Sequence, residues 1–255
     1  MFQRTVPVTF RSEIGRGTFV VRFRSQEIAS AAEAGQFVNI RCGDGCLPLL
    51  RRPMSVSRVV GDDVELLFAV VGQGTRVLAA KRPGDPLDVL GPLGVPFGYR
   101  GDYATAVIVA GGVGAAPFPF LTRFVVREGK HVITFLGART AAQLTPQNLE
   151  NVQLATDDGT EGHHGTVVEL LGAYLSQHEV VNPKIFGCGP TNMLKALSDY
   201  ALKAGIDCEL SLEGDMACGV GLCQGCPIER SNGKKKYALV CTEGPTFNAK
   251  DIILP

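Results

Sequence analysis

Near residue 100 the chain changes its rhythm, and that change limits the folds open to it. Up to Tyr99 it is cut into short β-prone runs, "TFVVRFRS", "GQFVNIRC", "RPMSVSRVV", "DVELLFAVV" and "DPLDVLGPLG". The start, "MFQRTVPVTFRSE", alternates like a further strand, and one helix-like run, "GTRVLAAK", interrupts near residue 74. Short strands punctuated by turn residues predict a small antiparallel β-barrel over 1–100. From Ala104 strands alternate with helices: "TAVIVA", then "GGVGAAPFPFLTRFVVREG", "HVITFLGA", a polar stretch, "TVVELLGAYLSQ", "VNPKIFG" and "TNMLKALSDYALKAG". This alternation predicts an α/β unit over 101–208, a parallel sheet covered on both faces. The remainder, 209–255, is too short to bury a core of its own and needs a staple.

That tail carries "MACGVGLCQGC" and, further on, "VCTEGPTF". Together they space four cysteines as C-x4-C-x2-C-x14-C: Cys218, Cys223, Cys226 and Cys241. Disulfides, structural zinc and an iron–sulfur cluster compete for this set. The N-terminus lacks the apolar core of an export signal, so the eight cysteines are expected in a reducing, cytoplasmic setting where stable disulfides are rare. Zinc normally takes a C-x2-C pair answered by a second pair. Three ligands from one loop and a fourth from a distant strand match the plant-type [2Fe–2S] arrangement. Gly219, Gly221 and Gly225 let the loop's backbone amides approach sulfur closely. Cys42 and Cys46 form a C-x3-C pair with no answering pair and, with Cys208, read as packing thiols.

Charge excludes other classes. Lys plus Arg and Asp plus Glu each number 25, so no global field draws nucleic acid or an anionic membrane. The run 234–236 of lysines reads as a solvated hairpin tip. The apolar stretch 104–121 is broken by Gly111, Gly112, Gly114, Pro117 and Pro119, which argues against a membrane span.

"RRPMSVS" is weak evidence alone, since a surface strand with a salt-bridged arginine would read the same. It is followed by Gly72, Gly74 and Thr75 opening a helix, whose free amides suit a pyrophosphate. Arg52 could add a bidentate phosphate contact, and the Ser55 hydroxyl could meet a flavin ring edge. "GGVG" after "TAVIVA" departs from the full dinucleotide fingerprint and lacks the expected ribose acid.

These motifs, in this order and followed by "GCGP", resemble the ferredoxin–NADP reductase superfamily over nearly the whole chain. The resemblance implies that Arg52, Pro53, Met54 and Ser55 bind FAD, with Gly74 and Thr75 at its pyrophosphate and Leu67, Phe68 and Ala69 lining the site. Many members carry an aromatic where this chain has Met54. It further implies that Gly111, Gly112 and Gly114 hold the phosphates of the nicotinamide dinucleotide, with Arg139 and Cys188 beside it; a buried inert thiol is the competing reading of Cys188. No basic cluster joins Arg139, which favours NAD over NADP. Asp157 and Asp158 either contact a cofactor or cap a turn, the second being favoured, and His163 and His164 read as loop residues.

The added cysteine tail makes the combination more specific. It is similar to the electron-transfer subunits of bacterial NAD-dependent dihydroorotate dehydrogenases, whose ending is matched by Cys241, Glu243, Gly244, Pro245 and Phe247. That resemblance implies a role in pyrimidine (UMP) biosynthesis, with electrons passing from an FMN-containing catalytic subunit through [2Fe–2S] and FAD to NAD+. It also implies a cytoplasmic heterotetramer of two of each subunit. All segments are assigned without a barrel for dihydroorotate itself, so this chain is expected to act with a partner. A subunit serving a hydrogenase or a ferredoxin-linked transhydrogenase is the nearest alternative. A zinc-stapled binding protein on a degenerate reductase scaffold is the non-enzyme one.

Overall fold

The computed structural model describes every residue of the chain except Asp44, Cys46 and Lys234. Strands β1 (Phe2–Gly15), β2 (Thr18–Arg24), β3 (Phe37–Arg41), β4 (Arg52–Val60), β5 (Asp63–Ala69) and β6 (Pro86–Leu93) close a barrel in the order β1-β2-β5-β4-β3-β6. All its pairings are antiparallel. In β2 the alternation is plain: Phe19, Val21 and Phe23 point inward while Val20 and Arg22 are half-exposed. Two short helices interrupt the barrel, α1 (Gln26–Ala31) and α2 (Gln73–Ala80). Helix α1 escaped the sequence reading because a six-residue run is too short to display a helical period.

Glu65 sits in the apolar run of β5, and its neighbours explain how. Its carboxylate accepts Arg22 Nε at 2.7 Å and Arg58 Nε at 2.9 Å. Arg58 also reaches Asn148 Oδ1 at 2.6 Å, linking the barrel to the second unit.

That unit contains β7 (Thr105–Gly111), α3 (Phe118–Arg127), β8 (His131–Ala138), β9 (Val152–Thr156), β10 (His163–His164), α4 (Val167–Gln177), β11 (Pro183–Cys188), α5 (Thr191–Ala204) and β12 (Asp207–Ser211). The tail adds β13 (Pro227–Arg230), β14 (Tyr237–Leu239), β15 (Thr246–Asn248) and β16 (Ile252–Ile253). The large sheet runs β10-β9-β8-β7-β11-β12-β15 and is parallel except for its last pair. A small antiparallel sheet, β14-β13-β16, completes the chain. Lys235 and Lys236 lie in the β13–β14 hairpin as expected; Lys234 lies outside the described residues. The polar stretch after β8 holds β9, and His163 and His164 form a short strand paired to Ala155 and Thr156 instead of a loop. Both are too short and too polar to announce themselves without their neighbours.

Helix α3 lies between sheet and barrel. Its Phe118, Leu121 and Val125 share one core with Phe23, Ile40 and Leu66 of the barrel. Leu171 of α4 and Leu194 and Leu197 of α5 cover the other face, in a core that also takes in Cys226, Ile228 and Val240 of the tail. The tail thus borrows a core it could not build. The connection after β6 is pinned from the far side: Thr246 Oγ1 donates to Val95 O and Pro96 O, both at 2.9 Å. Gly98 N–H donates to Glu209 Oε2 at 2.7 Å while Lys184 Nζ bridges Gly98 O (2.8 Å) and Glu209 Oε1 (2.7 Å). Among the described residues no helix is long and apolar enough to cross a membrane, and β7 and α3 divide the 104–121 stretch.

Candidate cofactor-binding site

Barrel, sheet and tail meet at a cleft of about 720 Å³. One wall is the motif on β4, Arg52, Pro53, Met54 and Ser55, with Leu67, Phe68 and Ala69 of β5 and Thr75 of α2. Gly114 and Cys188 line the opposite wall. Gly74 is not itself on the surface of the cleft, and Gly111, Gly112 and Arg139 lie outside it.

The paired arginines at the head of β4 have different duties. Arg51 Nη2 bonds Asp88 Oδ2 at 2.7 Å and its Nη1 bonds Asp88 O at 3.0 Å, so Arg51 holds the barrel together. Arg52 spends only Nη1, on Leu50 O and Arg51 O. Its Nε and Nη2 have no protein acceptor among the described residues, and neither has the Ser55 hydroxyl a partner. Thr75 Oγ1 accepts the amides of Val71 (3.0 Å) and Gly72 (3.1 Å), which closes the turn into α2. The first amides of a helix have no partner within it. Free guanidinium nitrogens, a free hydroxyl and a helix start around one cleft are the donor set an anionic dinucleotide such as FAD requires. The residues fit the group.

On the far wall, glycines serve chain packing as much as ligand approach. A Cβ on Gly114 would stand 2.5 Å from Cys188 O, and one on Gly111 would stand 2.7 Å from Met193 Sδ. Gly112, at φ +54°, would meet nothing within 4 Å and faces open space. Burial pushes the Cys188 thiol up to about 12, with the Glu213 charge adding and the Ser211 hydroxyl opposing. It is a thiol, not a thiolate, at neutral pH. Burial likewise raises Cys42, and Cys208 to about 12. Cys46 lies outside the described residues. Ser211, Leu212, Glu213 and Met216 also line the cleft and were not anticipated. Their signal was position, since "SLEGDMAC" joins the last parallel strand to the first cysteine of the array. Enclosure raises the Glu213 carboxyl above its ordinary value, although the side chain keeps an open face to solvent.

The four tail cysteines occupy the loops between β12 and β13 and after β14. The amides of Val220 and Cys223 both donate to Cys218 Sγ at 3.4 Å. Burial opposes ionisation of Cys218, but these amides and the Cys223 thiol bring it down to about 7. Burial and a bond from the Cys226 thiol hold Cys241 up at about 11. Gly219 and Gly221 take left-handed φ of +72° and +81°, which turns the chain over the sulfurs. Gly225 does not share that conformation. Asn39 of β3 braces the loop by donating Nδ2 to Cys218 O at 3.2 Å, a contact between residues too distant in sequence to foresee. Among the described residues no three potential ligands converge on a single ion, and no disulfide forms. Cys218 interacts with Cys223, and Cys241 with both Cys226 and Cys218, so the four thiols form one neighbourhood.

Residues 213–253 match a family model described as the iron–sulfur cluster binding domain of dihydroorotate dehydrogenase B. The dihydroorotate dehydrogenase B (NAD(+)) electron transfer subunit of Desulforamulus reducens is 37% identical over 249 residues, 94% of each chain. That of Bacillus velezensis is 34% identical and covers 97% of each chain. Among solved structures, an NADH-dependent reduced ferredoxin–NADP oxidoreductase aligns at a TM-score of 0.88 with 26% identity, over 98% of this chain and 90% of that one. A ferredoxin–NADP+ reductase of Neisseria gonorrhoeae shares the fold at a TM-score of 0.68, 17% identity and 80% coverage of this chain, 92% of that one.

Proposed function

The chain belongs to the family of dihydroorotate dehydrogenase B (NAD(+)) electron transfer subunits, and on that premise we propose which of its residues carry the transfer. The protein is an oxidoreductase subunit that takes electrons from a catalytic partner oxidising dihydroorotate and delivers them to NAD+. When bound, the cluster supplies one-electron transfer and FAD supplies exchange between single electrons and electron pairs.

In this reading Arg52, through its free Nε and Nη2, and the start of α2 would hold the FAD pyrophosphate, Ser55 and Met54 would bind the flavin, and Leu67, Phe68 and Ala69 would keep water from the site. Gly111 and Gly114 let the dinucleotide turn lie on the loop that presents Cys188, and Gly112 leaves room for phosphate. Cys218, Cys223, Cys226 and Cys241 hold the cluster. The observation that carries this assignment is shared space: Ala217 and Gly225, adjoining Cys218 and Cys226, line the same cleft as Met54 and Ser55. The division proposed is FAD barrel 1–100, NAD unit 101–208 and cluster unit 209–255, with β12 running across the last boundary and β15 returning to the large sheet.

The side of the cluster loop supports a docking face for the catalytic subunit. Leu222 is 83% exposed next to Cys223, and Leu47, Leu49 and Leu50 are exposed on the loop leading to the cleft. The assembly proposed is two copies of each subunit, which sedimentation of the co-expressed complex in an analytical ultracentrifuge reads directly. The cofactor assignment is tested by anaerobic purification followed by flavin, iron and sulfide assays. One FAD, two irons and two acid-labile sulfides per chain are expected. Stoichiometric zinc without sulfide would overturn it.

A further inference from the structure

Asn39 is an amide in a place built for hydrocarbon. It lies on β3 between Val38 and Ile40 and is, like them, fully buried. Its Nδ2 donates to Cys218 O at 3.2 Å, while its Oδ1 is buried with no protein partner among the described residues. A buried amide satisfied on one side only costs free energy that an apolar side chain of the same shape would not. Stability alone does not account for such a residue, so the one bond its side chain makes carries the explanation.

That bond lies where the tail meets the barrel. Nδ2 grips the peptide that follows the first cysteine of the array. A Cβ on Gly219 would stand 2.5 Å from the same nitrogen, at a residue that turns with φ +72°. Among the described residues no other hydrogen bond joins 213–226 to a barrel strand. Within the barrel, Asn39 is paired in register with Pro53, beside the pairs Val38 with Met54 and Phe37 with Ser55. Strand β3 is therefore the direct neighbour of the strand that carries the flavin motif. One side chain ties the cysteine loop to the wall of the cofactor cleft.

We propose that Asn39 is a positioning residue for electron exchange between the two cofactors, fixing the Cys218 end of the cluster loop relative to the flavin motif. This rests on the reading above, in which the four cysteines hold the cluster and β4 holds FAD. In each exchange one electron leaves one cofactor and enters the other, and no bond forms or breaks. The rate of such a transfer falls steeply with the gap between donor and acceptor. The far end of the tail is already pinned by Thr246 on Val95 and Pro96. Asn39 supplies the second anchor, at the cysteines themselves. It does not line the cleft and acts only through the loop it holds.

The test uses the full holo chain with Asn39→Leu, which keeps the bulk and loses the donor, and Asn39→Asp, whose carboxylate can only accept. Asn39→Leu should fold and hold FAD, iron and sulfide as the wild type does, because it removes the unpaired acceptor along with the donor. Laser flash photolysis with a deazaflavin injects one electron, whose passage between flavin and cluster is followed by absorbance. Potentiometric titration read by electron paramagnetic resonance gives the cluster potential in parallel. In both variants the passage should slow by about tenfold or more, since a misplacement on the order of 1 Å can cost about a hundredfold. The cluster potential should move too little to account for the loss. A wild-type rate in a fully loaded Asn39→Leu overturns the proposal, as does a slower rate explained wholly by a shifted potential. Failure of both variants to hold the cluster also overturns it, because the residue would then serve assembly and not placement. A wild type that holds both cofactors yet passes no electron between them would instead overturn the functional reading beneath it.

Discussion

The guanidinium of Arg52 rests against the α-carbon of Gly74, where a Cβ would stand 2.6 Å from Nε. The glycine is thus part of the arginine's seat. Gly74→Ala should fold, because the flexible arginine can move aside, yet misplace the two nitrogens left free for phosphate. A contact between phosphate and a charged group is worth roughly 1.5–3 kcal/mol, so FAD should bind at least about tenfold more weakly. Arg52→Ala should do at least as much. Fluorescence titration of apoprotein with FAD checks both; unchanged affinity in both variants would remove Arg52 from the site.

Glu65 gives the barrel a pH-dependent brace. Burial opposes its charge, but bonds from Arg58 and Arg22 outweigh that and hold the carboxyl below its ordinary 4.5. A carboxylate with a depressed folded value stabilises fully above its unfolded value, and the stabilisation fades as pH falls through the folded one. The thermal unfolding temperature should therefore drop as pH falls below about 4.5. Glu65→Gln should be less stable at pH 7 by about 3 kcal/mol, since two arginines lose their counter-charge, and should show a shallower decline in the acid window.

The legibility of this fold followed burial. β2 and β7 announced themselves because one alternates and the other is apolar throughout, and the four cysteines announced the tail by spacing. β9 and β10 were hidden because a short, half-polar strand is specified by its parallel neighbour and not by its own residues. The cleft was read from the β4 motif and from Gly114 and Cys188 across it, but not from the tail. Arg52 and Ser55 sit in a recognisable run, whereas Glu213 and Ser211 enter from a tail whose return to the sheet is a tertiary fact. Sequence singled out Arg52 by its place in the motif, but the partner that occupies Arg51, Asp88, lies on another strand and was not legible.

The cysteines divide by environment. Cys218→Ser, Cys223→Ser, Cys226→Ser and Cys241→Ser should each abolish the wild-type cluster signal in electron paramagnetic resonance after reduction, since a missing thiolate opens an iron site. Cys42→Ser and Cys208→Ser remove thiols that burial keeps protonated and should leave that signal's shape unchanged. An altered signal in either of the last two, with flavin content intact, would mean that the ligand set is wrongly chosen.

The central claim is that this chain connects a dihydroorotate-oxidising partner to NAD+ through both of its cofactors. Its most direct test is the rate of NAD+ reduction by dihydroorotate in the reconstituted complex, before and after removal of the iron–sulfur cluster. The intact complex should turn over and the isolated chain should not. Cluster removal should abolish that rate while sparing most of the NADH–ferricyanide activity. Undiminished dihydroorotate:NAD+ turnover in the cluster-free complex, or turnover by the isolated chain, would contradict the account.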